Sequence, residues 1–277
     1  MTDGSGAGAV DPGALLSLRD IDKNFGPVQA LSGVNLDVPA AQVTALVGDN
    51  GAGKSVTIKT IAGIHPPDGG QIYWEGQPVT FHAPKDATAV GISTVYQDLA
   101  LCDNLDIVQN MFLGRERRQA GLLLDEDTME KAAADTLASL AVTTVRSIRQ
   151  PVASLSGGQR QSVAVARAAM WNSKLVIMDE PTAALGVAQT QMVLALIKRL
   201  AANGLAVMVV SHNLNDVFEV ADRIAVLYLG RMAASGPATN FDRQSLVELM
   251  TTGASSRANG GRASAPGSGN GAEKAEE

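Results

Sequence analysis

Val43-Thr44-Ala45-Leu46-Val47-Gly48-Asp49-Asn50-Gly51-Ala52-Gly53-Lys54-Ser55 is the stretch that decides the fold. Its first five residues form a short, nearly continuous apolar run, which suits a strand covered on both faces. The next eight match GxxxxGK[ST], and Val56 to Ile61 reads as a helix opening directly behind them. Strand, glycine-rich turn and helix in that order make a phosphate cradle. Gly48, Gly51 and Gly53 let the backbone wrap an anion and aim its N–H groups inward, and the helix N-terminus adds partial positive charge. Lys54 has the reach for the β- and γ-phosphates, and the Ser55 hydroxyl can bind Mg²⁺. Asp49, Asn50, Ala52 and Val56 complete the stretch expected to surround the nucleotide. The motif occurs once, and there is no internal repeat.

Outward from this motif the chain reads as strands alternating with helices. Leu15 to Leu18, Leu175 to Met178, Ala206 to Val210 and Ile224 to Tyr228 are further apolar runs of strand length. Like Val43 to Val47 they hardly alternate, as in a parallel sheet buried on both sides. Val187 to Ala202 places Met192, Leu196 and Leu200 on one helical face among polar residues, and Leu214 to Ala221 repeats the pattern with Val217 and Phe218. The alternation predicts βαβ units and an α/β fold with a mixed or parallel core sheet. Gln71 to Trp74, between the turns Gly69-Gly70 and Glu75-Gly76, predicts a small antiparallel β subdomain. Residues 98–155 are rich in Ala, Leu and charge and read as a helical insert. The Gly-rich start (1–14) and the apolar-poor tail (254–277) cannot offset their ordering entropy and are expected to be disordered, leaving 15–253 as the folded domain.

Composition narrows the function. With 45% apolar residues, 277 residues can bury a sizeable core, and a formal charge of -6 argues against a general nucleic-acid binder. Cys102 is the single cysteine. It allows no intrachain disulfide and no multi-cysteine zinc site, and it reads as a packing residue in a reducing compartment. No run approaches the ~18 apolar residues of a membrane span, and MTDGSGAGAVDPG lacks the cationic and apolar regions of a signal peptide. The chain is therefore expected in the cytoplasm unless a partner holds it at a membrane.

Two further motifs carry chemistry. Leu175-Val176-Ile177-Met178-Asp179-Glu180 is a buried strand ending in two carboxylates. Asp179 is placed to hold Mg²⁺ where α/β sheets bind ligands, and Glu180 to orient or deprotonate an attacking water. Leu155-Ser156-Gly157-Gly158-Gln159-Arg160-Gln161 is a second glycine-containing turn before a helix, Gln159 to Ala169, and so a second anion-ready N-terminus. One ATP needs only one such cradle from one chain. The economical reading is that the Ser156 turn closes over an ATP held by a second subunit.

GDNGAGKS, LSGGQRQ and LVIMDEPTAAL, in this order and spacing, resemble the nucleotide-binding subunit of an ATP-binding cassette (ABC) transporter, over roughly Leu15 to Gly253. The resemblance implies a P-loop cassette fold, ATP and Mg²⁺, and hydrolysis between two head-to-tail cassettes. It implies that Phe25 stacks on adenine and that Gln97 touches the metal region and leads into the insert. It also implies that His212 contacts the γ-phosphate. Lys54, Gln97, Glu180 and His212 are then the catalytic set, Ser55, Gln97 and Asp179 the metal set, and Ser156, Gly157, Gly158 and Gln159 the signature turn. Three positions depart from the family pattern. Gly186 ends Ala183-Ala184-Leu185-Gly186 where an Asp is usual, Val56 replaces Thr, and Phe25 replaces Tyr. His65 and His82 match nothing and read as surface or loop residues. GDNGAGKS, Gln109 to Glu116 and PTAALGVAQT are similar to bacterial monosaccharide importer cassettes. That similarity implies permease subunits, a second cassette, an indirectly coupled solute-binding protein, no nucleic acid, and a place on the cytoplasmic face of the membrane. Competing classes are a cassette for amino acids, lipids or export, a soluble ATPase of translation or DNA repair, and a non-catalytic regulator. Soluble ATPases of that kind usually have two cassettes or a coiled-coil insertion, and Glu180 and His212 speak against a regulator.

Overall fold

Alternate residues of each central strand enter different hydrophobic clusters, which is why the apolar runs are continuous. In β9 (Leu175–Asp179), Val176 and Met178 face one layer while Leu175 and Ile177 face the other. β10 (Ala206–Val210) divides in the same way, with Val207 and Val209 opposite Ala206, Met208 and Val210. A fully buried side chain of this size contributes roughly 1.5–3 kcal/mol, so each central strand stabilises both layers at once.

The computed structural model describes residues 11–119 and 123–255. The stretches expected to be disordered fall outside these residues, except for 11–14 and 254–255. The remaining elements are β1 (Ala14–Phe25), β2 (Val28–Pro39), β3 (Val43–Val47), α1 (Lys54–Ile61), β4 (Gly69–Trp74), β5 (Gln77–Val79), α2 (Pro84–Val90), β6 (Ile92–Val95), α3 (Ile107–Phe112), β7 (Arg118–Gln119), β8 (Leu123–Leu124), α4 (Glu126–Ser139), α5 (Gly157–Met170), α6 (Val187–Ala202), α7 (Leu214–Val220), β11 (Arg223–Tyr228), β12 (Arg231–Pro237) and α8 (Arg243–Thr252). A six-stranded sheet has the order β12-β11-β3-β10-β9-β6, parallel except for the antiparallel edge β12. A four-stranded antiparallel sheet, β2-β1-β4-β5, packs across one cluster onto it. α3 to α6 cover the opposite face, and α7 and α8 close a third cluster. The amino ends of the parallel strands are fastened together. Val43 N donates to Asp222 Oδ2 (2.8 Å), Asp222 N to Val43 O (2.9 Å), Val207 N to Gln42 O (2.9 Å) and Leu175 N to Gly91 O (3.1 Å).

One strand assignment is corrected. Leu15 to Leu18 belongs to β1 of the antiparallel sheet, not to the parallel one. The run is continuously buried because its second face is closed by polar groups. Asp37 accepts from Ser17 Oγ (2.5 Å) and from Arg19 Nη2 (2.7 Å), while Leu16, Leu18 and Ile21 fill the core. The region read as a helical insert also differs in detail, since among the described residues between 98 and 155 only α3 and α4 are α-helices, with the short pair β7 and β8 between them. Asp106 and Asp125 cap the two helices, accepting from Gln109 N (2.7 Å) and Thr128 N (3.2 Å). The irregular chain around them is held by polar side chains. Buried Asn110 bonds Cys102 N and O, and Arg149 pairs with Asp106, Glu126 and Glu130.

Candidate functional site

Four adjacent parallel strands deliver the chemistry to one edge. Gly48 follows β3, Ser211 and His212 follow β10, Asp179 ends β9 with Glu180 behind it, and Gln97 stands two residues past β6. These are carboxyl ends, where open α/β sheets bind ligands.

The phosphate loop owes its shape to glycine. Gly53 holds φ 103° as the N-cap of α1, and a Cβ at Gly48 would overlap the carbonyl oxygen of Leu227 in β11. Lys54 is only 9% exposed, and its ammonium donates to Gly48 O (2.7 Å) and Asp49 O (2.9 Å). A cation is therefore held at the mouth of the loop. Beside it lies a cavity of about 400 Å³ lined by Asn50, Gly51, Gly53, Lys54, Ser55 and Val56, with Val28, Gln29, Ala30, Leu229 and Gly230 opposite. The β11–β12 turn at Leu229-Gly230 escaped the sequence reading, although a glycine closing an apolar run is a turn signal. It braces the loop, since Gly230 N donates to Ala52 O (2.9 Å) and Gly230 O accepts from Ser32 N (2.8 Å).

Glu180 and His212 meet directly, with Nδ1 of the ring 2.8 Å from Oε1 of the carboxylate. Glu180 sits at φ 49°, a left-handed backbone that is strained for a residue with a Cβ, and its N–H is anchored to Val210 O (2.8 Å). Asp179 is half-buried. Burial, and then the neighbouring charge of Glu180, push its carboxyl above the usual carboxylate range, against the pull of Lys54 and Lys59. Tyr96 is pushed up as well, first by burial and further by Asp179 and Asp98.

These donors fit Mg²⁺. The Asp179 carboxylate accepts no hydrogen bond from the described residues, the Ser55 hydroxyl is exposed at the start of α1, and Gln97 offers an exposed amide oxygen. All are hard oxygen ligands, and Mg²⁺ typically takes one or two from protein with the rest from phosphate and water.

Two groups stand apart from the cavity. Phe25, 43% exposed at the end of β1, is not among its lining residues. Its ring makes an edge contact with His65 at 5.1 Å between centroids, with the Lys23 ammonium 5.6 Å away. His65 is thus a half-buried ring partner, and His82 is exposed as expected. Ser156 and Gly157 are exposed, and neither they nor Gly158 and Gln159 line the Lys54 cavity. Ser156 caps α5, accepting from Gln159 N (3.4 Å), while Gln159 Oε1 accepts from Ser156 N (2.9 Å). A Cβ at Gly158 would press on Gln189 at 3.0 Å, so the missing side chain lets α5 approach the start of α6.

A six-stranded sheet with a phosphate loop, an acidic strand end and a separate exposed signature turn is the architecture of an ATP-binding cassette. The chain belongs to the ABC transporter family, whose profile matches residues 31–183. It is 47% identical over 243 residues to the fructose import ATP-binding protein FrcA of Rhizobium meliloti, covering 86% of this chain and 94% of that one. It is 44% identical over 245 residues to the xylose/arabinose import ATP-binding protein XylG of Sulfolobus acidocaldarius, covering 88% and 97%. Among solved structures it resembles the ADP conformation of an ATP-binding cassette of an ABC transporter (TM-score 0.72, 26% identity, 86% of this chain and 95% of that one). It also resembles a dimeric bacterial ABC transporter cassette (TM-score 0.69, 25% identity, 82% and 100%).

Proposed function

We propose that this chain is the ATP-hydrolysing subunit of an ABC importer for a monosaccharide, acting as a pair of cassettes on the cytoplasmic face of the membrane. One observation carries the reading. A single chain presents two anion-ready backbones, the Lys54 loop and the exposed Ser156 turn, and they do not share a cavity. Each is half of a nucleotide site, and a head-to-tail pair of copies completes both.

The phosphate loop binds the triphosphate through its N–H groups, and Lys54 turns from its carbonyls to the β- and γ-phosphates. Phe25 offers its exposed ring to the adenine, with His65 in edge contact and the Lys23 ammonium over the ring. Ser55, Asp179 and Gln97 would hold Mg²⁺, which when bound neutralises phosphate charge. Glu180 takes the proton of the attacking water as its oxygen bonds to the γ-phosphorus, and the bond from phosphorus to the bridging oxygen of ADP breaks. His212, through its 2.8 Å contact, fixes the Glu180 carboxylate and faces the γ-phosphate. Ser156, Gly157, Gly158 and Gln159 of the second copy donate from the other side. ATP therefore favours the closed pair and hydrolysis loosens it, a shift of populations driven by differential binding. The insert that follows Gln97 carries the movement to membrane permease subunits. Among the described residues no helix is long and apolar enough to cross a membrane, so the pathway lies in those partners. The sugar assignment rests on FrcA and XylG, whose lengths this chain nearly spans. Selection of the sugar belongs to the permease and a solute-binding protein.

Glu180→Gln tests the reading. The amide keeps the size and a hydrogen bond to His212, so ATP binding survives. Removal of a general base lowers turnover by roughly 10²–10⁴-fold, and an ATP-dependent dimer accumulates in size-exclusion chromatography. Unchanged hydrolysis would refute the base, and unchanged ATP affinity in Lys54→Ala would refute the phosphate loop.

A further inference from the structure

Gln97 rides on a turn that its own backbone holds poorly. Two consecutive residues with side chains, Leu99 (φ 58°) and Ala100 (φ 45°), occupy the left-handed region, where Cβ crowds the next carbonyl. Leu99 N donates to Tyr96 O (2.9 Å) and Ala100 N to Asp98 O (2.7 Å), which closes the turn but leaves the Leu99 and Ala100 carbonyls to another donor. One side chain takes both. Arg167 Nη1 donates to Ala100 O (2.8 Å) and Nη2 to Leu99 O (3.1 Å). Arg167 is half-buried and makes no ion pair with a described carboxylate, and burial lowers the basicity of its guanidinium. A cation kept there without a counter-charge is explained by its planar guanidinium, whose rigid fork holds two parallel donors at a fixed spacing.

Arg167 lies in the last turn of α5, and Ser156 caps the first turn of the same helix. Eleven residues at a rise of 1.5 Å separate the two ends by about 16 Å. The helix between them is packed, with Gln161, Ser162, Val163, Ala164, Val165 and Ala166 all buried. It is a strut with the signature turn at one end and a grip on the Gln97 turn at the other.

We propose that Arg167 is a positioning residue that fastens the Gln97 turn to α5, so that Gln97 and Ser156 move as one body. The inference rests on the nucleotide reading above, in which Gln97 faces the ATP held by its own chain and Ser156 faces the ATP held by the partner copy. The strut then links the two nucleotide sites of the pair. A change at one γ-phosphate reaches the other site through a helix instead of a loop.

The test uses the full chain with Arg167→Ala, Arg167→Lys, Gln97→Ala and the Gln97→Ala/Arg167→Ala double variant. Arg167 is not among the residues that line the Lys54 cavity, so Arg167→Ala binds ATP as the parent does. Its kcat falls by about tenfold or more, because displacing a catalytic group by a fraction of an ångström has effects of that order. Added ethylguanidinium restores much of the loss, and Arg167→Lys, whose ammonium lacks the rigid fork, falls between. The double variant is no slower than Gln97→Ala alone, since Arg167 acts through Gln97. Hydrogen exchange gives a readout independent of turnover. Amides 97–103 exchange faster in Arg167→Ala, while those of Val43–Val47 and Ala206–Val210 do not change. Parental kcat in Arg167→Ala, additive losses in the double variant, or unchanged exchange at 97–103 would each overturn the proposal. If the parent chain hydrolysed no ATP, the nucleotide reading and the link between sites would both fall. The exchange result would still decide whether Arg167 holds the turn.

Discussion

Gly230→Ala adds one methyl group to the brace beneath the phosphate loop. Gly230 sits at φ 77°, and a Cβ there would lie 2.6 Å from the carbonyl oxygen of Ala30 and 3.1 Å from its carbon. The left-handed backbone costs a residue with a side chain about 1–2 kcal/mol. Ordinary contact begins at 3.4 Å, so the clash leaves a shortfall of about 0.8 Å against backbone that cannot rotate away. Overpacking of this kind typically costs about 1–3 kcal/mol. The two together give a loss of roughly 2–5 kcal/mol, read as a lower urea midpoint with an unchanged slope. The displacement has a second consequence. Gly230 N reaches Ala52 O at 2.9 Å, and a retreat of that size breaks the bond and frees the loop. Misplacement on the order of 1 Å costs about 100-fold in catalysis. Gly236→Ala, within β12, is the control, because its Cβ would meet Asn240 and Phe241 only at 3.5 and 3.8 Å. Urea titration and ATP hydrolysis of the two variants, side by side, decide the matter. A Gly230→Ala protein with the midpoint and turnover of its Gly236→Ala counterpart would refute the bracing role.

Asp179→Asn should raise the urea midpoint in magnesium-free buffer at neutral pH while abolishing magnesium-dependent hydrolysis. A carboxyl whose folded pKa is raised destabilises the native state increasingly as pH climbs from its unfolded to its folded value, and fully above that. The gain should therefore vanish as pH falls below the ordinary carboxylate range, and a variant less stable than the parent at neutral pH would contradict this sign. Gly186→Asp should stabilise the fold by a few tenths to about 1 kcal/mol. Gly186 is the extended N-cap of α6 with open space where a Cβ would stand, so a lowered melting temperature would show that the carboxylate fails to cap. Asn110→Leu should cost about 1–3 kcal/mol, because it leaves the Cys102 N–H without an acceptor in a buried site, while the Cys102 and Asp106 carbonyls keep only their backbone donors, Leu105 N and Asn110 N. A chemical denaturation curve matching the parent would argue that these groups find other partners.

Local signals made much of this molecule legible. Val43–Val47, Ala206–Val210 and Val187–Ala202 were bounded correctly because continuous apolar runs and a strong helical period coincide with turn residues. β2 has only half a strand signal: Val34-Asn35-Leu36-Asp37-Val38 alternates regularly, but Gly33 interrupts the period and the pairing with β1 slips register on the other side of it. β12, Arg-Met-Ala-Ala-Ser-Gly-Pro, is built of small residues that look like a loop until β11 pairs with it. The Glu180–His212 contact joins residues 32 apart and depends on β9 and β10 lying side by side, which strand order alone decides. The grip of Arg167 had no signal at all, since its acceptors are backbone carbonyls that any residues supply.

The fastening of the parallel strands at Val43, Asp222, Gln42 and Gly91 lies at the hem opposite the chemistry. A substitution among the exposed reactive side chains leaves these four bonds in place, whereas the glycine-shaped turns on the reactive side have no such slack.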